Sequence, residues 1–95
     1  MQLGKITGTV VASQKDEKLI GQTFHVVENV DVDGKITGGL VVAVDAVGAG
    51  VGEIVLYAAG SAARLTPLTQ GKPVDHVIMA IVDVVEVNGK ERYKK

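Results

Sequence analysis

Two stretches of this sequence, Gly39–Val47 (GLVVAVDAV) and Val77–Val87 (VIMAIVDVVEV), are too apolar to be strands with one face in water. Near-continuous runs of this kind read as strands covered on both faces. A chain of 95 residues has little interior in which to put them, because a domain of this length hides only about 60–65% of its unfolded surface. Cysteine is absent, so neither a disulfide framework nor a thiolate metal site can supplement the core. The apolar content comes mainly from small and β-branched residues, and Phe24, Tyr57 and Tyr93 are the whole aromatic set. No uninterrupted apolar stretch of about 18 residues is present, which argues against a membrane-spanning helix. The opening MQLGKITGTVV lacks the charged start, long apolar centre and small-residue cleavage site of a signal peptide. The remaining way to cover the excess is against further copies of the same chain. A self-associating protein of the cytosol is therefore expected. A net charge of −1 with intermixed signs leaves no footprint for nucleic acid or an anionic membrane.

The pattern along the chain is β. Ile6, Gly8, Val10 and Ala12 alternate with Lys5, Thr7 and Thr9, the period of two of a half-buried strand. Gly4 and Gly8 within it predict a close approach by another part of the chain or tight curvature. Ser13–Lys18 (SQKDEK) reads as a solvated loop, Thr23–Val30 as a second strand, and Asp31–Gly34 (DVDG) as a turn. Gly39–Val47 is the third strand and Glu53–Ala59 (EIVLYAA) the fourth, joined through GAGVG. A short helix follows at Gly60–Leu65, with Ser61 as its N-cap and Pro67 ending it. Val77–Val87 is the fifth strand, Asn88-Gly89 a turn, and residues 89–95 a basic tail. Five short strands and one short helix predict an all-β fold, a small five-stranded OB-like barrel, over a single domain of residues 1–95.

Gly48, Gly50 and Gly52 have neither the G-x-G-x-x-G spacing with a following helix nor the Lys-Ser/Thr of a phosphate loop, so they read as a tight connection between strands. Asp31-Val32-Asp33-Gly34 starts like a calcium loop, but the twelfth position, where a bidentate Glu belongs, is Val42. His25 and His76 have no second His or Cys at ligand spacing, and no metal or cofactor is expected. Ser13, Ser61 and the threonines have no base in a recognisable setting, so no catalytic residues are expected. Asp45 and Asp83 each interrupt an apolar run. They could be a general acid and its partner, but the structural reading is preferred, with each accepting bonds from backbone or from Arg64. The alternative function for an OB-like barrel is a binding module for single-stranded nucleic acid or a small metabolite. Such a surface wants a basic groove with several stacking aromatics, which three scattered aromatics do not supply.

The residues also carry a resemblance. Met1-x-Leu3-Gly4-x-Ile6-x-Gly8-x-Val10-Val11, then Ala43-Val44-Asp45-x-Val47-Gly48-Ala49-Gly50-x-Gly52-Glu53-x-Val55-Leu56, then Gly60-Ser61-Ala62-Ala63-Arg64, and Pro73-Val74-Asp75 with Ile81-Val82-Asp83, resemble the EutN/CcmL family of bacterial microcompartment vertex proteins. The likeness runs nearly from end to end. It implies an OB-like barrel that forms a homopentamer around a narrow pore and caps the fivefold corners of a polyhedral shell in the bacterial cytoplasm. Hexameric shell proteins are the implied partners. It further implies Gly48, Ala49, Gly50, Gly52 and Glu53 as candidates for the pore or the subunit interface. Asp45, Ser61, Arg64 and Asp83 are implied as structural polar residues, Arg64 bridging to Asp45 or Asp83.

Overall fold

Alternation along the first strand sends Gly4 and Ile6 inward, and the same period of two, repeated strand after strand, rolls the chain into a barrel. In a computed structural model describing all 95 residues, β1 spans Gln2–Val10, β2 Phe24–Val30, β3 Ile36–Asp45, β4 Ile54–Ala59, β5 His76–Ile81, β6 Val84–Val87 and β7 Lys90–Lys94. Single 3-10 turns lie at Glu17–Leu19 and Gly60–Arg64. Five strands close in the order β1-β2-β3-β5-β4, with β1 returning to β4 through Gln2↔Tyr57 to Lys5↔Ile54. All these pairings are antiparallel except β3 with β5, which run parallel through Val44↔Val77 and Asp45↔Ile78. The expected five-stranded OB-like barrel is the fold observed.

Two apolar clusters share the barrel wall. Ile6, Val27, Ala43, Ala49, Val55, Tyr57 and Ile78 fill the inside. Val44, Ala58, Ala63, Val74 and Val77 form a second cluster on the outside. Neighbouring residues such as Ala43 and Val44, or Val77 and Ile78, therefore go to opposite clusters, which explains why both runs are apolar without alternation. Gly4 is where the inside is tightest: a Cβ there would lie 2.3 Å from Val27 Cγ1 and 3.2 Å from both the Glu28 carbonyl and the Tyr57 ring. Gly8 instead follows a bulge in β1 that bends the strand. The Tyr57 hydroxyl is held between the side-chain amides of Gln2 and Asn29. Burial pushes its phenol above the ordinary tyrosine value and keeps it neutral.

The structure corrects several expectations. Double-faced burial of the third strand holds only at its end: Leu40 and Val42 are 62% and 47% exposed, because the outer cluster covers β3 from Val44 onward. Val77–Val87 is two strands. After Ile81 the chain leaves the barrel, and β6 pairs with β7 around Asn88-Gly89, both at positive φ. The predicted basic tail is thus the return strand of a hairpin. Composition alone could not show this, because KERYK becomes a strand by pairing. A lone two-stranded hairpin is marginal in water, and this one is tied down. Arg92 makes a two-pronged pair with Asp33 at 2.8 and 2.9 Å, and the Tyr93 ring lies against Gly34. The short helix is a 3-10 turn, and Ser61 is exposed and does not cap it. The Asp75 carbonyl instead accepts the Gly60 N–H at 2.8 Å.

Candidate functional site

The connection from β3 to β4, residues 45–53, is built around two carboxylates. Asp45 begins it. Its Oδ1 accepts the backbone N–H groups of Val47 and Gly48, each at 2.9 Å, and its Oδ2 lies 3.2 Å from His25 Nε2. The two side chains are 6% and 8% exposed, so the carboxylate has exchanged water for three protein donors, the condition for burying it. Gly48 and Gly52 take φ of +74° and +94°, a region that side chains resist and that lets the chain reverse in so few residues. Ala49 turns into the barrel core and plugs its end.

Glu53 closes the loop. Its Oε1 accepts the Gly50 N–H at 2.6 Å and its Oε2 accepts Lys95 Nζ at 2.6 Å. The backbone returns to β1 through Gly52 N–H to the Ile6 carbonyl, and Ile6 N–H to the Glu53 carbonyl. Glu53 therefore joins the loop, the barrel and the end of the β6–β7 hairpin. The Lys95 bond, then the Gly50 N–H, hold the Glu53 carboxyl below its ordinary range. A depressed carboxyl contributes stability above its unfolded pKa and loses it as the pH falls through the lower folded value. Glu53→Gln keeps an acceptor for Gly50 but removes the charge facing Lys95. It should flatten the decline in melting temperature below about pH 4.3, the ordinary glutamate value, and speed amide exchange in β7. Parallel acid melts of the two proteins that decline identically would refute this.

The remaining sequence candidates are dispersed. Arg64 pairs with neither Asp45 nor Asp83. Its Nη1 donates to the Val74 carbonyl at 2.9 Å and to Asp75 at 3.1 Å, holding the 3-10 turn to the segment before β5. Asp83 is exposed in the break between β5 and β6, where only its backbone carbonyl has a partner, the Lys95 N–H. It does not interrupt a buried run. Three features escaped sequence reasoning: the His25–Asp45 pair, the Glu53–Lys95 pair and the Tyr57 amide cradle. An acid inside a valine run signals that Asp45 needs a partner, but nothing local points to a histidine twenty residues earlier.

No three His, Asp or Glu side chains gather as a metal set. His25 Nδ1 is buried without a partner, so no nucleophile completes the His25–Asp45 pair. One groove is apolar: about 440 Å³ in volume, it runs beside the Gly60–Arg64 turn, lined by Met1, Gln2, Tyr57, Ala58, Ala59, Ala62, Leu65 and Met79. A closed five-stranded barrel with a braced loop between β3 and β4 defines a small OB-like β-barrel protein.

Residues 1–83 match the family described as ethanolamine utilisation protein EutN/carboxysome, and the chain belongs to that EutN/CcmL family. It is 41% identical to the carboxysome shell vertex protein CcmL of Gloeobacter violaceus, covering all of this chain and 95% of that one; a solved structure of CcmL from that organism aligns at a TM-score of 0.95. It is 43% identical to the microcompartment shell vertex protein PduN of Salmonella typhimurium over 90% of this chain and 98% of that one. The GrpN pentameric microcompartment shell protein of Rhodospirillum rubrum aligns at a TM-score of 0.80 and 41% identity, over 92% and 98% of the two chains. The family is one of structural shell proteins.

Proposed function

We propose that this chain forms a homopentamer that caps the fivefold vertices of a polyhedral microcompartment shell in the bacterial cytoplasm, next to hexameric shell proteins. The observation that carries this reading is the apolar surface the protomer leaves in water. Leu40 and Val42 on β3, and Val51, Leu65 and Leu68 in the loops, are all exposed, and only 17 of 95 residues are buried, so much apolar side-chain surface is left uncovered. Barrel closure removes free edges from its five strands, which leaves the barrel's faces and the β6–β7 hairpin for association. Fivefold units also meet a geometric need, since a sheet tiled by sixfold units alone stays flat.

The test is mass. Light scattering should give about 50 kDa, five times the 9.9 kDa protomer, and a monomer at micromolar concentration defeats the reading. Gly50 gives a local check within the loop of Gly48, Ala49, Gly50, Gly52 and Glu53. A Cβ at Gly50 meets only Glu53 Oε1, at 3.7 Å, so the protomer has room for a side chain there. Gly50→Leu should leave the protomer folded, as seen by circular dichroism, and weaken the pentamer. Undiminished assembly would place this loop away from the contact and the pore. The nucleic-acid alternative finds little support, since Tyr57 is 1% exposed and Phe24 and Tyr93 are half-buried, which leaves no stacking platform of the usual kind.

A further inference from the structure

We propose that Asn88-Gly89, the turn of the β6–β7 hairpin, is a site of spontaneous covalent modification, at which the Asn88 amide is lost and the hairpin permanently released. An asparagine followed by glycine lets a backbone nitrogen reach a side-chain amide readily, because glycine puts no side chain in the way. Here the site is open. Asn88 and Gly89 are both exposed, and a Cβ built on Gly89 would meet nothing within 4 Å. The Gly89 nitrogen attacks Asn88 Cγ, forming a C–N bond and a five-membered succinimide ring. The bond from Cγ to the side-chain nitrogen breaks, and that nitrogen leaves as ammonia with the Gly89 amide proton. Water then opens the ring. Opening at Cγ leaves aspartate; opening at the main-chain carbonyl leaves isoaspartate, whose backbone runs through Cβ and Cγ and is one atom longer. The other candidates in the chain lack this combination. Asn29 is followed by β-branched Val30 inside β2 and is held by the Tyr57 hydroxyl. Asp33-Gly34 carries an acid that Arg92 keeps ionised, and a carboxylate resists attack.

The fold sets both the rate and the consequence. With φ of +53° and +76°, the two residues form the primed turn that tight hairpins use. That turn holds the Gly89 nitrogen away from Cγ, so Asn88 must leave it before the ring can form. The reaction therefore draws on the fraction of molecules in which the hairpin is open. Opening is local: β6 and β7 pair only with each other, and a lone hairpin is marginal in water. Two partly exposed ion pairs, Arg92–Asp33 and Lys95–Glu53, limit it by holding β7 to the barrel. The isoaspartate product cannot close again. A two-residue turn fixes the pairing of Val87 with Lys90, and an added main-chain atom breaks that register. β7 then loses both ion pairs, whereas the barrel, complete by Ile81, stays closed.

The test incubates full-length protein at mildly alkaline pH, digests it at low pH where the ring forms slowly, and follows the peptide containing Asn88 by mass and by an isoaspartate assay. Asn88 should convert with release of ammonia, isoaspartate in the larger share, while Asn29 stays intact. Arg92→Ala should convert about two- to fivefold faster, the extra opening that follows loss of an exposed ion pair. In the aged protein, amide exchange in β7 should be fast and that in β1–β5 unchanged. Asn88→Gly keeps a turn that accepts positive φ but has no amide to lose, and it should retain its β7 protection over the same period. The same chain unfolded in urea supplies the unrestrained rate. An Asn88 that survives in the folded protein while the unfolded chain converts overturns the site. Conversion that leaves β7 protected overturns release of the hairpin, and an Arg92→Ala rate equal to the parent's overturns the dependence on opening.

Discussion

Gly4→Ala should destabilise the protein by about 3 kcal/mol, the upper end for overpacking a core, and Gly4→Val by more. A methyl group at this position is placed 2.3 Å from Val27 Cγ1. Val27 is fully buried inside the barrel and β-branched, so it has no free rotamer with which to move aside. The new carbon is also crowded by the Glu28 carbonyl and the Tyr57 ring, each at 3.2 Å. Relief requires β1 to separate from β2 or β4, and both pairings close the barrel. Gly8→Ala is the matched control. It lies on the same strand, and its Cβ meets only Val26 at an ordinary 3.8 Å, so an effect of about 1 kcal/mol or less is expected, the general cost or gain of such a swap. Urea unfolding of the two variants beside the parent measures the difference. The close-packing account fails if Gly4→Ala melts with the parent, or if both glycines respond alike. A protein of this size has roughly 5–14 kcal/mol of total stability, so the Gly4 change removes a large share.

Asp45→Ala should be comparably severe, about 3 kcal/mol or more, because each buried donor left without an acceptor costs about 1–3 kcal/mol. Three donors lose their acceptor together: Val47 N–H, Gly48 N–H and His25 Nε2. His25 is already without a partner at Nδ1, so the variant leaves the whole imidazole unsatisfied inside the protein. Asp45→Asn should fall between parent and alanine, because an amide oxygen still accepts a bond but carries no charge. The effect should also be local as well as global. Amide exchange at Val47 and Gly48 should accelerate well beyond that of β1 and β2, since the loop loses its anchor at the first carboxylate while Glu53 still holds the second. Uniform acceleration throughout the barrel, with no excess in the loop, would mean that Asp45 does not organise this turn.

The positions of these two residues show what could and could not be read in advance. The close approach at Gly4 was legible, because a glycine within an alternating strand has few explanations other than lack of space or a bend. The need of Asp45 for a partner was legible for the same kind of reason: a carboxylate in a valine run must be compensated. The identity of the partner was not. Arg64 was the cation of choice in the sequence, yet it is occupied with Val74 and Asp75, and the role at Asp45 falls to His25. The helix at Gly60–Arg64 was placed correctly but is only a 3-10 turn, too short for Ser61 to have a row of free N–H groups to cap. The glycine loop was recognised as a connection; that Ala49 plugs the barrel and Glu53 reaches Lys95 was not visible.

By itself the sequence determined the β class, the approximate places of the five barrel strands, the turn at Asn88-Gly89 and the family motifs, because side-chain alternation and turn chemistry are properties of a few consecutive residues. Tertiary structure alone decided that Leu40 and Val42 stay in water while Val44 is covered, that KERYK pairs as a strand, and that Asp45 meets His25 and Glu53 meets Lys95. Those outcomes depend on how the closing barrel staggers its strands against one another. The stagger brings together residues 20 and 42 positions apart, a separation at which local sequence pattern carries no information.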